Sequence, residues 1–196
     1  MAFVDLTVAQ FCDELGSGNP TPGGGAAAGL MAKLAASLVM MVVNHTIGRP
    51  KYASVEERMQ SIRVDAEGFS RRAGELMDDD SIAFAAVSAA FRIPREDEGR
   101  AAAVSDACKR ATEVPLEVMR TAHQLAKLAV EIFSTGNQTL TGDARSALYA
   151  ARAAAECSAG NIHANRNFIQ DQQWAADACQ EASEILESIS SLATNR

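Results

Sequence analysis

Apolar residues return every three or four positions along most of the chain, and the breaks between these stretches fall at clusters of Gly, Pro, Ser, Thr and Asn. Thr7 and Gln10 have the spacing of a capping box and open a short helix to about Leu15. The run from Gly16 to Gly25 breaks that helix, and Pro22 stands near the first turn of the next, which the pattern extends from Gly24 to Ile47. A second capping-box spacing, Ser54 to Glu57, starts a long helix to about Arg92, with Gly68 and Gly74 as places for close packing or bending and Pro94 as its end. Helical periodicity resumes from about Glu96 to Phe133, where Pro115 predicts a kink or a break because it lacks the amide donor and crowds the preceding turn. The segment from Ser134 to Asp143 reads as a loop, with Gly136 and Asn137 at a helix C-terminus and Asp143 as the next N-cap. Two helices remain, Ala144 to Phe168 and an amphipathic one from Asp171 to Ala193. With no internal repeat and no linker, the expectation is an all-α chain whose 196 residues form one helical bundle domain.

Composition sharpens this picture. Alanine occurs 38 times and aromatic residues make up only 5%, so the helices should approach one another closely. A net charge of −7 without a basic run makes nucleic acid a poor partner. Cys12, Cys108, Cys157 and Cys179 lack metal-like spacing, no signal peptide precedes them, and reduced thiols of a cytoplasmic protein are expected. The apolar run from Ala26 to Val43 has the length of a membrane span, yet Lys33 lies inside it and its alanines make it weakly lipophilic. A helix buried on all sides, with no membrane partner, is the better reading. Its apolar residues also exceed what one small bundle covers, which predicts a homodimer.

Three local features carry candidate chemistry. The first is the turn Pro22, Gly23, Gly24, Gly25 before a helix, where free amide groups favour an anion or carbonyl oxygen and glycines admit a ligand to the main chain. Tight helix–helix packing explains the same glycines. The second is Asp78, Asp79 and Asp80. Asp78 and Asp79 fall on the side of Arg71, Arg72 and Glu75 and read as solvated, whereas Asp80 shares its stripe with Phe69, Ala73, Leu76, Met77, Phe84, Val87 and Phe91. A carboxylate facing a core is paired in a salt bridge or used, and desolvation would raise its pKa towards values useful for proton transfer. The third is Asn161 and Asn165, one turn apart on one face, suited to interhelical hydrogen bonds or to a ligand. His45, His123 and His163 form no nucleophile or metal pattern and read as structural.

Taken together these segments resemble a known family. Pro20 to Gly25 before an Ala-rich helix, Val43 to Tyr52, Asp78 to Phe84, Ala111 to Leu116, Gly136-Asn137 with Asp143, and Asn161 to Asn165 are similar, in order, to segments of the formiminotransferase-cyclodeaminase/methenyltetrahydrofolate cyclohydrolase family. Gly142-Asp143 stands where that family has Ser-Asp, and Gly160 where a larger apolar residue is common. The resemblance implies a helical homodimer that binds a folate at or near the subunit contact without metal or redox cofactor. It implies Asp80 as catalyst. It further implies substrate contacts from Pro22, Gly23, Gly24, Gly25, Asn44, Asn137, Asp143, Asn161 and Asn165, with Arg49 and Lys51 meeting the glutamate tail. The expected reaction is hydrolysis of methenyltetrahydrofolate to formyltetrahydrofolate, because the chain leaves no room for a formiminotransferase domain and Asn44 to Tyr52 looks closest to stand-alone cyclohydrolases. Cyclodeamination of formiminotetrahydrofolate is the alternative. A non-catalytic helical dimer that binds folate or protein is a third.

Overall fold

The Thr7 capping box forms as its spacing requires: Thr7 Oγ1 accepts from the Gln10 amide at 3.2 Å while the Gln10 carboxamide oxygen accepts from the Thr7 amide at 2.9 Å. In the computed structural model, which describes residues 2–194, it starts helix α1 (Val8–Leu15). Five longer helices follow: α2 (Gly24–Asn44), α3 (Glu56–Phe91), α4 (Arg100–Thr135), α5 (Thr141–Asn165) and α6 (Gln172–Thr194). Short 3-10 turns occupy Phe3–Asp5, Pro50–Val55, Gln138–Leu140 and Arg166–Phe168, and the described residues contain no strand. The all-α expectation holds.

Two bidentate ion pairs fix the register of α3 against α4. Arg58 pairs with Glu131 and Arg72 with Glu117, so fourteen residues forward on α3 correspond to fourteen backward on α4, and the helices run antiparallel. Arg120 clamps Glu181 of α6 in the same way. The turn through Gly136 sends α5 back along α4. Between these helices lies α2, whose Ala28, Ala32, Ala35, Ala36 and Val39 are fully buried and pack in one core with Met59, Ile62 and Ala66 of α3, Met119 and Leu125 of α4, and Ala151, Ala154 and Ala155 of α5. Small residues permit this proximity. A Cβ at Gly29 would lie 2.9 Å from Met77 and 3.1 Å from the Ala73 carbonyl, so α2 and α3 nearly touch there.

Several local expectations are corrected. The Ser54 capping box does not form, because Pro50–Val55 winds as a 3-10 turn and α3 starts at Glu56 without a side-chain cap. Helix α4 begins four residues later than expected, at Arg100, and passes through Pro115 without interruption. Proline leaves the carbonyl four residues earlier without its helical donor, and Asn165 Nδ2 supplies one to Ala111 O at 3.2 Å. Asp143 lies inside the first turn of α5 rather than at its N-cap, since the helix already starts at Thr141. Helix α2 ends at Asn44, with Gly48 at φ 74° in the turn that follows. It is long and apolar enough to cross a membrane, and half of it is buried inside the fold. It is not buried on every side: Leu34 is 50% and Met41 37% exposed along one stripe.

Candidate functional site

Asp80 sits in the C-terminal half of α3, opposite the first turn of α2. Its Oδ2 accepts the Ala26 amide hydrogen at 3.1 Å. Gly23 is the N-cap of α2 and offers no side chain, so a carboxylate from a different helix caps this start. Gly25 makes the approach possible: a Cβ there would stand 1.9 Å from Asp80 Oδ1 and 2.3 Å from its Cγ. Around Gly23 and Gly24, in contrast, the space is open. Helix packing therefore accounts for Gly25 and Gly29 but not for Gly23 and Gly24, whose main chain is accessible to a ligand.

Asp80 forms no ion pair among the described residues, and its carboxyl pKa is raised from the ordinary value because burial disfavours the charge more than the Ala26 amide favours it. The side chain is half-buried. This is the environment that the helical stripe predicts, with the salt-bridge alternative removed. Asp78 and Asp79 differ from the solvated reading. Asp78 is half-buried and accepts the Phe3 amide at 2.8 Å, pinning the N-terminal segment onto α3, while Asp79 joins Arg72 at 2.9 Å in a group with Glu75 and Glu117. Next to Asp80, the Ser81 hydroxyl is buried without a hydrogen-bond partner.

The remaining candidates divide between the two ends of the bundle. With Asp80 lie Pro22, Gly23, Gly24 and Gly25, and also the end of α5, because Asn165 bonds Ala111 and the α3–α4 register places Ala111 level with Asp78. Asn165 is thus committed to a helix carbonyl through its amide nitrogen, while the half-buried Asn161 side chain makes no hydrogen bond among the described residues. At the opposite end, the length of α2 away or about 30 Å, lie Asn44, Arg49, Lys51, Asn137 and Asp143. Asn44, Arg49 and Lys51 are exposed, with the Lys51 ammonium 5.4 Å from the Tyr52 ring centre. Asn137 is buried in structural bonds: its amide donates to Thr46 Oγ1 at 2.9 Å, Nδ2 to the His45 carbonyl at 3.0 Å, and Oδ1 caps Thr139. A single chain cannot bring both groups to one reacting carbon.

Among the described residues no three His, Cys, Asp or Glu side chains converge as a metal site requires. Cys12 and Cys157 are exposed, Cys108 and Cys179 buried, and all four are free. His45 and His163 are exposed, while His123 shares a 2.8 Å hydrogen bond with Ser188 between α4 and α6. The sequence reading missed the exposure of Phe84 (45%) and Phe91 (38%), which belong to the apolar stripe of Asp80. Periodicity marks a face without saying how far the covering helix reaches.

Comparison with known proteins gives the family and the fold. The family model described as Formiminotransferase-cyclodeaminase matches residues 7–184. A methenyltetrahydrofolate cyclohydrolase of Methylorubrum extorquens is 35% identical over 184 residues, covering 92% of this chain and 88% of that protein. The formimidoyltransferase-cyclodeaminase of Mus musculus is 30% identical over 72% of this chain, which spans 27% of that longer protein. Among solved structures, the formiminotetrahydrofolate cyclodeaminase of Thermotoga maritima superposes with a TM-score of 0.89 at 28% identity, covering 96% of this chain and 92% of that one.

Proposed function

The chain belongs to the formiminotransferase-cyclodeaminase family, and we propose that within it this protein is a methenyltetrahydrofolate cyclohydrolase with Asp80 as its proton shuttle. The observation that carries the mechanism is the unpaired, half-buried Asp80 carboxyl with its raised pKa at the start of α2. Similarity across nearly the whole length of a protein of that name supports the substrate.

The amidinium bridge of methenyltetrahydrofolate is a cation, so an ionised Asp80 stabilises it electrostatically. As water attacks the bridge carbon, Asp80 takes one water proton, giving a neutral tetrahedral carbon that bears a hydroxyl. Asp80 then returns that proton to the departing nitrogen as the carbon–nitrogen bond breaks. The hydroxyl proton leaves to solvent as the formyl carbonyl forms, and the balance is one proton released per turnover. One carboxyl serves as base and then acid, which suits a pKa lifted towards neutrality. The open backbone at Gly23 and Gly24 offers amide donors to the developing oxygen, and Asn161 is free to orient the ring or the water.

A homodimer completes this reading. The exposed stripe of α2, Leu34 and Met41, supplies an apolar contact face. If α2 packs antiparallel on its copy, the Asn44, Arg49 and Lys51 end of one chain comes to the Asp80 end of the other, where the basic pair can meet the glutamate tail. The rival reading, cyclodeamination of formiminotetrahydrofolate, is favoured by the close likeness to the Thermotoga maritima structure and by the Mus musculus relative.

The deciding experiment follows absorbance of purified protein with methenyltetrahydrofolate and, separately, formiminotetrahydrofolate. Turnover of the first is expected, with Asp80→Asn slower by about two or more orders of magnitude and Asp79→Asn close to wild type. Turnover of only the second substrate would replace the assignment by cyclodeaminase. Near-normal rates in Asp80→Asn would end the shuttle role.

A further inference from the structure

Large aromatic side chains on a core stripe are ordinarily covered, and truncation of the cover exposes them. The stripe of α3 that carries Asp80 shows this transition. On the N-terminal side Ala73, Leu76 and Met77 are buried. Beyond Asp80, α2 no longer lies over the face, because it begins at Gly24 beside that carboxylate. Phe84 is one turn further along the same face and 45% exposed. Phe91, two more turns along, meets the edge of Phe168 with ring centres 5.1 Å apart, and the Arg100 guanidinium lies 5.8 Å from its centre. Phe84 has no such ring or cation partner among the described residues.

We propose that Phe84 is a substrate-positioning residue, an unstacked aromatic platform one helical turn from Asp80 on which a planar ring of the substrate lies. The inference rests on the cyclohydrolase reading and adds to it the residue that holds the ring. Several features of the position favour a flat, partly cationic ligand as the occupant. Asp80, the carboxylate assigned to the reacting cation, lies one turn away at one end of the platform. One turn of helix, about 5.4 Å, separates a reacting bridge carbon from the body of the ring fused to it. Its large neighbours along this face are engaged elsewhere, Met77 in the core and Phe91 with Phe168, which leaves the Phe84 ring open to a ligand. An aromatic face also attracts the positive charge spread over the ligand.

Steady-state kinetics of Phe84→Ala, Phe84→Tyr and Phe84→Leu test this, together with calorimetric titration of formyltetrahydrofolate into each protein. Loss of one stacked ring should raise KM and the product Kd in Phe84→Ala by about five- to hundredfold, with kcat little changed. Phe84→Tyr, which retains the ring, should restore both, and Phe84→Leu, apolar but not planar, should not. Unchanged KM and Kd in Phe84→Ala would overturn the inference while leaving the Asp80 mechanism intact. So would a change confined to sedimentation, which would make Phe84 a contact with a second copy. Should the wild type turn over neither folate, the cyclohydrolase reading falls, and the product titration still decides the platform.

Discussion

The close approach of Gly25 to Asp80 can be interrogated by a double-mutant cycle. A methyl group on Gly25 would lie 1.9, 2.3 and 2.7 Å from Oδ1, Cγ and Oδ2 of Asp80, so the whole carboxyl must swing away and release the Ala26 amide. Losing a hydrogen bond to a charged group costs about 1.5–3 kcal/mol. Ala in place of Gly in a helix returns about 0.8–1 kcal/mol. Gly25→Ala should therefore destabilise the protein by a net of roughly 0.5–2 kcal/mol. In an Asp80→Ala background those three atoms are gone, and the same change should stabilise by up to about 1 kcal/mol. The coupling between the two sites is then about 1.5–3 kcal/mol. Urea denaturation of the four proteins measures it, provided the slope stays constant across the set. Gly25→Ala should also lose turnover by about two or more orders of magnitude, although its own side chain takes no part in the chemistry. Equal destabilisation in both backgrounds, or full activity in Gly25→Ala, would refute the placement of the carboxylate against this turn.

The raised pKa of Asp80 has a sign that can be checked. Below the ordinary carboxyl range the group is neutral in folded and unfolded chains alike, and as pH rises through the folded value its ionisation costs stability. Asp80→Asn should thus match the wild type in Tm under acid conditions and exceed it near neutrality, while the acid limb of wild-type activity should lie above the ordinary aspartate value; a Tm difference independent of pH would contradict the desolvation. Asn165→Ala should cost about 1–3 kcal/mol by stripping the Ala111 carbonyl of its donor. Pro115→Ala, which returns an amide to that carbonyl, should relieve the loss in chemical denaturation, and additive effects of the two changes would mean that the bond is incidental.

Helix positions were legible because an apolar repeat of three to four residues leaves few alternatives, and Asp80 stood out as the charged residue that breaks the apolar repeat on its stripe. Its partner did not. The Ala26 amide lies 54 residues away, and nothing in local sequence records which helix start meets which helix middle. Axial position was hidden for the same reason: Asn44 and Asn161 stand alike as candidate substrate contacts until the antiparallel register separates them by the length of α2. Pro115 misled because the rule it follows is local, whereas the donor that makes the helix continuous comes from α5. Ser54 misled because its capping pattern competes with Pro50, which draws the segment into a 3-10 turn.

The span of α3 against α2 has a consequence for how such a site is made and altered. Helix α3 has 36 residues and α2 has 21, and past Asp80 the longer helix projects eleven residues, about 16 Å, beyond the shorter one. The uncovered face of α3 beyond Asp80 is thus an offset between two rods. Its length changes in helical turns. Extending α2 at its N-terminus by one turn, for instance by four residues between Gly23 and Gly24, would roof Phe84 and move the helix start off Asp80 in a single step, while trimming it by a turn would expose Met77 and leave the carboxyl uncapped. Variation in this uncovered stretch is therefore expected to come through the length of the segment from Gly16 to Gly25, with the buried alanine layers behind it untouched.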